Sequence, residues 1–255
     1  MTKTLKLLID ADMFVYRALS SCEHDINWGN DIWTLHVDLA EAKATFIDKL
    51  NYSIESALNL YKYNGDFEVI FCFSDPDKNF RKKILSTYKA NRKGKRKPVG
   101  YRALVDWVKD NYTSYQKPAL EADDCIGILA TMKKNRGNTI VISGDKDMKS
   151  IPSYHYNFIK DEFFKVSETE ADFWFYMQTL MGDTTDGYSG CPAIGKVTAE
   201  RILKKDCTWQ SVVDTYKSKN LTEYDALVQA RVARILRACD WDFKKGEVKL
   251  WETAK

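Results

Sequence analysis

The chain has 255 residues, of which 44% are hydrophobic and 13% aromatic, a composition that supports a folded core and excludes a disordered protein. No apolar run reaches the roughly 18–20 residues of a membrane-spanning helix, and residues 1–5 show no signal-peptide pattern. Six scattered cysteines without a CxxC pair and three distant histidines argue against disulfides and a zinc site. We therefore expect a cytoplasmic protein without a membrane partner.

The first 166 residues show short apolar strands that alternate with helices. Apolar runs predict strands over 5–9, 67–73, 113–116, 139–143, 154–159 and 163–166. Helical spacing covers 34–61 and 101–109, and a further helix begins at Glu121. This alternation predicts an α/β fold with a mostly parallel central sheet flanked by helices.

One segment between these elements, Lys78–Lys97, concentrates the positive charge. It holds ten Lys or Arg and no acid in twenty residues, while the whole chain carries only +3, so the remainder is net negative. Such a distribution indicates a polyanionic partner. Phe80 and Tyr88 add surfaces suited to stacking on single strands or strand ends. A solvated surface or a disordered arm is the alternative.

From about Ser167 the pattern becomes helical. Ser167–Glu170 resembles a capping box, and the helix it opens should run to Met181. Further helices are predicted over 197–204, 208–217 and 224–239. We therefore expect an α/β core in residues 1–166, which includes the basic segment 76–98, and a helical region in residues 167–255 with a helix-turn-helix near 169–204.

The turn of this helix-turn-helix is suited to phosphate. Gly190 and Gly195 allow close approach of the backbone, the amides that open the next helix form an anion site, and Lys196 adds positive charge. Such a unit would hold a duplex backbone without reading its sequence. The alternative is an ordinary helical hairpin.

Carboxylates recur where predicted strands end and helices or polar loops begin. The carboxyl ends of parallel strands meet at one edge of a sheet, so we expect these side chains to share one cleft. Each alone fits a helix cap or a turn, but five junctions repeat the pattern. The acids are Asp10, Asp75, Glu121, Asp123, Asp124, Asp145, Asp147, Asp183 and Asp186.

Nine carboxylates in one cleft require cations. Two bare carboxylates 4 Å apart repel by about 4 kcal/mol at an effective dielectric of about 20, against a total stability of about 5–15 kcal/mol. Oxygen ligands without His or Cys favour Mg²⁺, with Mn²⁺ as a substitute. We expect two ions roughly 3.5–4 Å apart, an arrangement that hydrolyses phosphodiesters.

The motifs, in this order, resemble those of the 5′-nuclease superfamily, the group of flap endonucleases and 5′–3′ exonucleases. The resemblance spans residues 8 to about 204, and the runs 88–92, 97–101 and 185–190 are similar to the T7-type phage branch in particular. The matching motifs are Leu8-Ile9-Asp10, Phe73-Ser74-Asp75, Tyr88-Lys89-Ala90-Asn91-Arg92, Glu121-Ala122-Asp123-Asp124, Ser143-Gly144-Asp145-Lys146-Asp147, Met181-Gly182-Asp183-Thr184-Thr185-Asp186-Gly187 and Ile194-Gly195.

The resemblance implies a Mg²⁺-dependent nuclease that acts near the 5′ ends, nicks, gaps or flaps of duplex DNA in replication, recombination or repair, with RNase H activity on RNA–DNA hybrids as a further expectation. Lys89 and Arg92 would reach the scissile phosphate from a helical arch, and K⁺ would bind at the helix-turn-helix. One metal would be held mainly by Asp10, Asp75, Glu121 and Asp123 with Asp124 close by, and the other by Asp145, Asp147, Asp183 and Asp186.

We expect the protein to be a monomer that works in the host cytoplasm of a phage. The DNA-contacting residues predicted from the basic segment and the turn are Arg81, Lys82, Lys83, Tyr88, Lys93, Gly195 and Lys196. Two positions depart from the family pattern: Ala11 replaces the usual Gly after Asp10, and Gly187 stands where cellular members often have Asn. The second departure is at a position that shapes the acidic loop.

Two other functions stay open at this point. Asp10-Ala11-Asp12 after a strand is similar to aspartyl-phosphate phosphohydrolases, in which the first Asp attacks phosphate, although Phe14 stands where that family has Thr or Val. A non-catalytic, structure-specific DNA-binding protein that uses only the basic segment is the other alternative, but it leaves the acids unexplained.

Overall fold

The computed structural model describes residues 4–253. The elements of the first two thirds are β1 (Leu5–Asp10), α1 (Ala11–Cys22), β2 (His24–Asn27), β3 (Trp33–His36), α2 (Leu39–Tyr61), β4 (Phe67–Phe73), α3 (Arg81–Ile84), α4 (Tyr101–Asn111), β5 (Ser114–Gln116), α5 (Ala122–Thr131), β6 (Thr139–Ile142), β7 (Ser153–Asn157) and β8 (Glu162–Val166). The remaining elements are α6 (Glu168–Met181), α7 (Lys196–Lys205), α8 (Trp209–Lys217), α9 (Glu223–Ala233), β9 (Trp241–Asp242) and β10 (Glu247–Val248). Short 3₁₀ turns cover Ala90–Arg92, Lys146–Ser150 and Ala238–Asp240.

Six strands form the central sheet in the order β5-β4-β1-β6-β7-β8. All neighbours are parallel except β7 and β8, which are antiparallel. β1 lies between β4 and β6, with Leu8 opposite Ile70 and Val141. The predicted mostly parallel α/β sheet is confirmed, and the carboxyl ends of β1, β4 and β6 lie at the same edge.

Helices cover both faces of this sheet, which explains why its central strands β1, β4 and β6 are largely apolar. On one face Leu7 and Ile9 pack in a cluster with residues of α1, α2 and α4 such as Phe14 and Phe46. On the other face Leu8 packs against α5. Complete burial of each of these side chains contributes about 1.5–3 kcal/mol and fixes β1 at the centre of the molecule.

The C-terminal helices α6 to α9 form a further apolar cluster, which includes Met177, Leu203 and Val212. After α9 the chain returns to the α/β layer, where Ile235 and Trp241 pack in the same cluster as α5. The predicted boundary at residue 166 between two regions stays a prediction. No helix in the described part of the chain combines the length and apolarity of a membrane span.

Several elements differ from the sequence prediction; among them, β2, α3, β9 and β10 were not predicted. The helix predicted over 34–61 begins only at Leu39, because Asp38 caps it and residues 33–36 pair with β2 as a hairpin. Helix α1 was not predicted. The helix predicted to reach Cys239 ends at Ala233, because Arg234 and Leu236 leave helical geometry to bond the side chains of α3 and α5.

Candidate active site

Asp10 lies at the junction of the two central strands. It ends β1, caps α1 by accepting a hydrogen bond from the Met13 amide at 3.3 Å, and accepts another from Ser143 Oγ at 2.7 Å, just after β6. Burial raises the pKa of Asp10 to about 7; the Ser143 hydrogen bond opposes this rise, and the charges of Asp12 and Asp145 add to it. A carboxylate in this position lacks compensating positive charge.

Three acids stand at the start of α5, and we call Glu121, Asp123 and Asp124 the α5 acids. One carboxylate oxygen of each lies within 4.8 Å of the others. Burial and the charges of its two neighbours hold the pKa of Asp123 well above its usual range. Burial also opposes ionisation of Glu121, but the charges of Lys89 and Arg81 outweigh it and lower its pKa to about 2.

Four acids, which we call the loop acids, follow β6 and α6: Asp145, Asp147, Asp183 and Asp186. Asp145 accepts a hydrogen bond from the Asp147 amide at 2.9 Å, and Lys146 Nζ lies 3.4 Å from Asp183. Burial, and then the charge of Asp145, raises the pKa of Asp147 to about 7, and the charges of Asp183 and Asp186 add to this rise. The loop acids therefore lie within electrostatic range of one another.

The acidic loop after α6 is a tight turn closed by two backbone hydrogen bonds. Asp183 exchanges backbone hydrogen bonds with Tyr188 at 2.9 and 3.1 Å, and its side chain accepts from the amides of Thr185 and Asp186. Burial opposes ionisation of Asp183, but the Thr185 amide and the Lys146 charge outweigh it and lower its pKa. Asp183 is thus held as an anion that faces the rest of the loop acids.

The base of the predicted arch, residues 87–92, docks on this loop. The Lys89 amide donates to Asp186 O at 2.7 Å, and Thr87 Oγ1 donates to Gly187 O at 3.0 Å. Gly187 has φ +75°, and a Cβ there would lie 2.5 Å from Thr87 O. This contact gives the departure from the family pattern at Gly187 a physical reason, because only glycine lets the arch base approach so closely.

Lys89 connects the two groups of acids, and Arg92 pairs with one of the loop acids. Lys89 Nζ forms an ion pair with Glu121 and lies 3.5 Å from Asp186, while Arg92 Nη2 lies 2.6 Å from Asp186. The Lys89 side chain is only 17% exposed, so its charge acts in a partly desolvated site. The structure places both cations beside the acids, and their catalytic role stays a prediction.

Arg81 is not where the sequence reading expected it. Its side chain is 2% exposed, and its two terminal nitrogens each lie 2.7 Å from an oxygen of Asp124. The remaining N–H groups donate to Glu121, Val232 O and Arg234 O. Arg81 cannot reach DNA from this position, so the structure contradicts the prediction that it contacts DNA. In a basic run, nothing in the sequence separates a buried arginine from exposed ones.

Asp124 is the buried partner in this ion pair. Beyond Arg81, its oxygens accept the amides of Leu236 and Glu121, both at 3.1 Å. The residue is fully buried, so its carboxylate is committed to joining α3, α5 and the end of α9. The role of Asp124 as a metal ligand stays a prediction.

Tyr88 is also buried, with 3% of its surface exposed. Its ring carries Arg81 and Lys89 at 5.7 and 5.1 Å from the centroid, and its hydroxyl donates to Glu121 at 2.6 Å. The buried ring holds the base of the predicted arch against the acids. The structure therefore also contradicts the predicted stacking of Tyr88 on DNA.

Asp75 is held separately in the loop after β4. One oxygen accepts the amides of Asp77 and Lys78 at 2.9 and 3.1 Å, and the other accepts the Ala119 amide at 2.6 Å. Burial opposes ionisation, but these hydrogen bonds outweigh it and lower the pKa of Asp75. Its role as a ligand stays a prediction.

The other predicted DNA contacts are exposed. Lys82, Lys83 and Lys93 are exposed on the basic segment, and Gly195 and Lys196 are exposed where α7 begins. A Cβ on Gly195 would meet open space. Gly190 does not serve a phosphate as expected, because it has φ +63° and a Cβ there would lie 2.3 Å from the Gly182 amide.

Sequence reasoning missed two residues of the site. Ser143, which donates a hydrogen bond to Asp10, begins the motif Ser143–Asp147, but the sequence did not indicate a role for it. Gln178 of α6 is buried among the acids, and a glutamine at an inward helical position gives no signal in a sequence. The exposed hairpin side chains Trp28 and Trp33, at 65% and 55% exposure, were also not anticipated.

A mostly parallel α/β sheet with acids clustered near its strand ends, and with Lys89 and Arg92 of the basic segment paired to them, is an arrangement typical of phosphodiester-cleaving nucleases. Residues 6–174 match the family model of the 5′–3′ exonuclease N-terminal, resolvase-like domain. The chain belongs to this family, and the resemblance found in its motifs is confirmed.

Individual relatives agree with this assignment. The chain is 31% identical to the exonuclease of Escherichia phage T7, over 96% of this chain and 92% of that protein. It is 29% identical to the exodeoxyribonuclease of Enterobacteria phage T3, with the same coverage. Among solved structures, the T5 D15 protein co-crystallised with metal ions has a TM-score of 0.62 at 15% identity, over 91% of this chain and 90% of that one. This likeness confirms the fold.

Proposed function

We propose that this nuclease is a Mg²⁺-dependent 5′–3′ exonuclease and flap endonuclease that hydrolyses phosphodiester bonds near the 5′ ends of duplex DNA. The observation that carries the proposal is the pairing of two acid groups through one partly buried cation, Lys89, at the carboxyl edge of the sheet. Family membership supports a catalytic protein over the DNA-binding alternative. The hydrogen bonds that hold Asp10 as a cap disfavour its use as a nucleophile.

The residues present fit two hard divalent ions. Both groups offer carboxylate oxygens, the donors that Mg²⁺ and Mn²⁺ prefer. Burial raises the pKa of Asp10 and Asp147 to about 7 each, which indicates that these carboxylates lack compensating charge. Asp10, Glu121 and Asp123 would hold one ion, with Asp75 as a further candidate, and the loop acids would hold the other. Bound there, the ions polarise the phosphate and the attacking water.

Lys89 and Arg92 then have a second role. Their charged groups pair with carboxylates that we assign to the divalent ions. A side-chain cation and a metal ion cannot occupy the same carboxylate oxygens together. The phosphate of bound DNA offers both side chains a new anionic partner. In that position Lys89 stabilises the charge that develops on the phosphate as the bond breaks.

DNA is held by charge rather than by base contacts in this proposal. Lys82, Lys83 and Lys93 would attract the strand that passes the arch, while Gly195 and Lys196 would hold a duplex phosphate at the start of α7. Because these groups would contact phosphates rather than bases, the proposal extends to an RNA–DNA hybrid as a further substrate. The proposal includes K⁺ bound by backbone carbonyls in the turn before α7, and a monomeric enzyme that works in the host cytoplasm, as its phage relatives suggest.

Product sizing on 5′-labelled DNA tests this function. Duplex, nicked and flapped substrates are incubated with Mg²⁺, with Mn²⁺ and with EDTA. We expect mononucleotides from exonuclease action or longer pieces from flap cutting, and no product in EDTA. Asp145→Asn should lose cleavage while it still binds DNA, and cleavage that continues in EDTA contradicts the proposal.

A further inference from the structure

Gln178 lies on α6, and its side chain is 3% exposed. Its amide oxygen, Oε1, is buried and has no hydrogen-bond partner among the described residues. Buried amide oxygens almost always accept at least one hydrogen bond, so this atom calls for a donor that the neighbouring side chains do not supply.

The side chain faces a small, partly open space between the two groups of acids. Asp123 of the α5 acids and Asp147 and Asp186 of the loop acids line it together with Gln178 and Tyr188. The space is open to the centre of a water molecule over about 20 Å³. One ordered water needs about 10–15 Å³ by this measure and two to four polar partners. The space fits one water and little else.

The Arg81 and Tyr88 donors beside this space are already used. All five N–H groups of Arg81 are bonded, to Asp124, Glu121 and two backbone carbonyls. The Tyr88 hydroxyl donates to Glu121, and the Tyr188 hydroxyl makes no hydrogen bond to Gln178 Oε1. The carboxylates of Asp123, Asp147 and Asp186 can only accept once they are ionised, the state in which they would hold metal.

We propose that Gln178 is a positioning residue that holds one buried water, which donates to Gln178 Oε1 and to a carboxylate of the surrounding acids. Both O–H groups of the water are used in this way, so it joins Gln178 to one of Asp123, Asp147 and Asp186, which line the space. It therefore helps to set the spacing of the carboxylates that hold the two divalent ions. This inference rests on the proposed function, because it assigns those carboxylates to metal.

Three variants test it through metal affinity rather than through turnover. Gln178→Met has a similar volume but no hydrogen-bonding group, so the water loses its anchor. Removal of a partner that orients metal ligands typically weakens metal affinity by about 10–100-fold. We expect Mn²⁺ affinity, measured by calorimetry without DNA, to fall at least about 10-fold. Gln178→Glu keeps an acceptor of the same reach, and its Mn²⁺ affinity should stay within about twofold of wild type or increase.

A packing role predicts the reverse order. Val232, Ala233 and Ile235 also line the space, so Met would fit there without loss while Glu would disturb the site. The matched control is Gln210→Met on the exposed surface of α8, where the amide donates to Asp214. It should leave Mn²⁺ affinity unchanged, and thermal unfolding checks that each variant is folded.

The outcomes separate this inference from the proposed function. If wild type binds no Mn²⁺, the proposed function fails. If wild type binds Mn²⁺ and Gln178→Met binds it equally well, only the role of Gln178 fails. A high-resolution crystal structure should show a water within about 3.2 Å of Gln178 Oε1, and a direct hydrogen bond from a protonated carboxylic acid in its place would overturn the proposal.

Discussion

Replacement of Arg81 by Met tests whether this residue stabilises the fold, as the structure indicates, or contacts DNA, as its place in a basic run predicted. Arg81 is 2% exposed, and it neutralises Asp124, which is fully buried. Arg81→Met keeps a long apolar side chain but leaves the Asp124 carboxylate and two backbone carbonyls without these donors. Removal of one partner from a buried ion pair typically costs about 3–5 kcal/mol. We therefore expect the free energy of unfolding to fall by about this amount.

The assay is urea unfolding followed by fluorescence, with binding of a short duplex measured on the folded fraction. Lys82→Met is the matched control, because the neighbouring Lys82 is exposed and surface changes usually cost no more than about 0.5 kcal/mol. The double variant Arg81→Met/Asp124→Asn should lose less stability than the sum of the two single variants, since it removes both charges. An Arg81→Met protein that is as stable as Lys82→Met but binds DNA more weakly would refute the reasoning.

Three further predictions follow from the site. Gly187→Ala places a methyl group 2.5 Å from Thr87 O at φ +75°, so it should cost about 1–3 kcal/mol and slow cleavage by loosening the arch base, with stability and turnover measured in parallel. In EDTA, protonated Asp10 stabilises the fold, because its pKa is raised to about 7. This stabilisation is complete below about pH 4 and is lost as the pH rises through 7. Asp10→Asn should flatten that part of the plot of unfolding free energy against pH, and an unchanged plot contradicts the assignment. Lys89→Ala should reduce the single-turnover rate more than DNA affinity, and a pure affinity loss would make Lys89 a phosphate anchor only.

The sequence carried the architecture because its signals are local. The apolar run Leu5–Ile9 ends in Asp10, and the same pattern at β6 leads to Asp145, so the shared edge of the sheet follows from strand order alone. The capping box at Ser167 placed the start of α6 correctly. Those features require no knowledge of what packs against them.

The missing parts depend on contacts between distant segments. Asp123 and Asp124 are neighbours at the start of one helix, and only tertiary packing decides that Asp124 is buried against Arg81. The end of α9 at Ala233 follows from hydrogen bonds that Arg234 and Leu236 make with residues more than 100 positions away. Gln178 shows the same limit, because its burial depends on packing across the cleft.

The basic segment consists of two parts with different surroundings. Its residues divide into a buried part that holds the acids in place and an exposed part that is free to meet DNA. Arg81 and Tyr88 belong to the first part, whereas Lys82 and Lys93 belong to the second. The segment therefore supports the acidic cleft through its buried part.

Mn²⁺ titration of the protein by calorimetry, combined with cleavage of a flapped duplex in the same buffer, tests the central claim most directly. The account predicts two bound ions in wild type, loss of one in Asp145→Asn, and cleavage that appears only as the second ion binds. A protein that binds no Mn²⁺, or that cleaves at the wild-type rate with every divalent ion chelated, would contradict it.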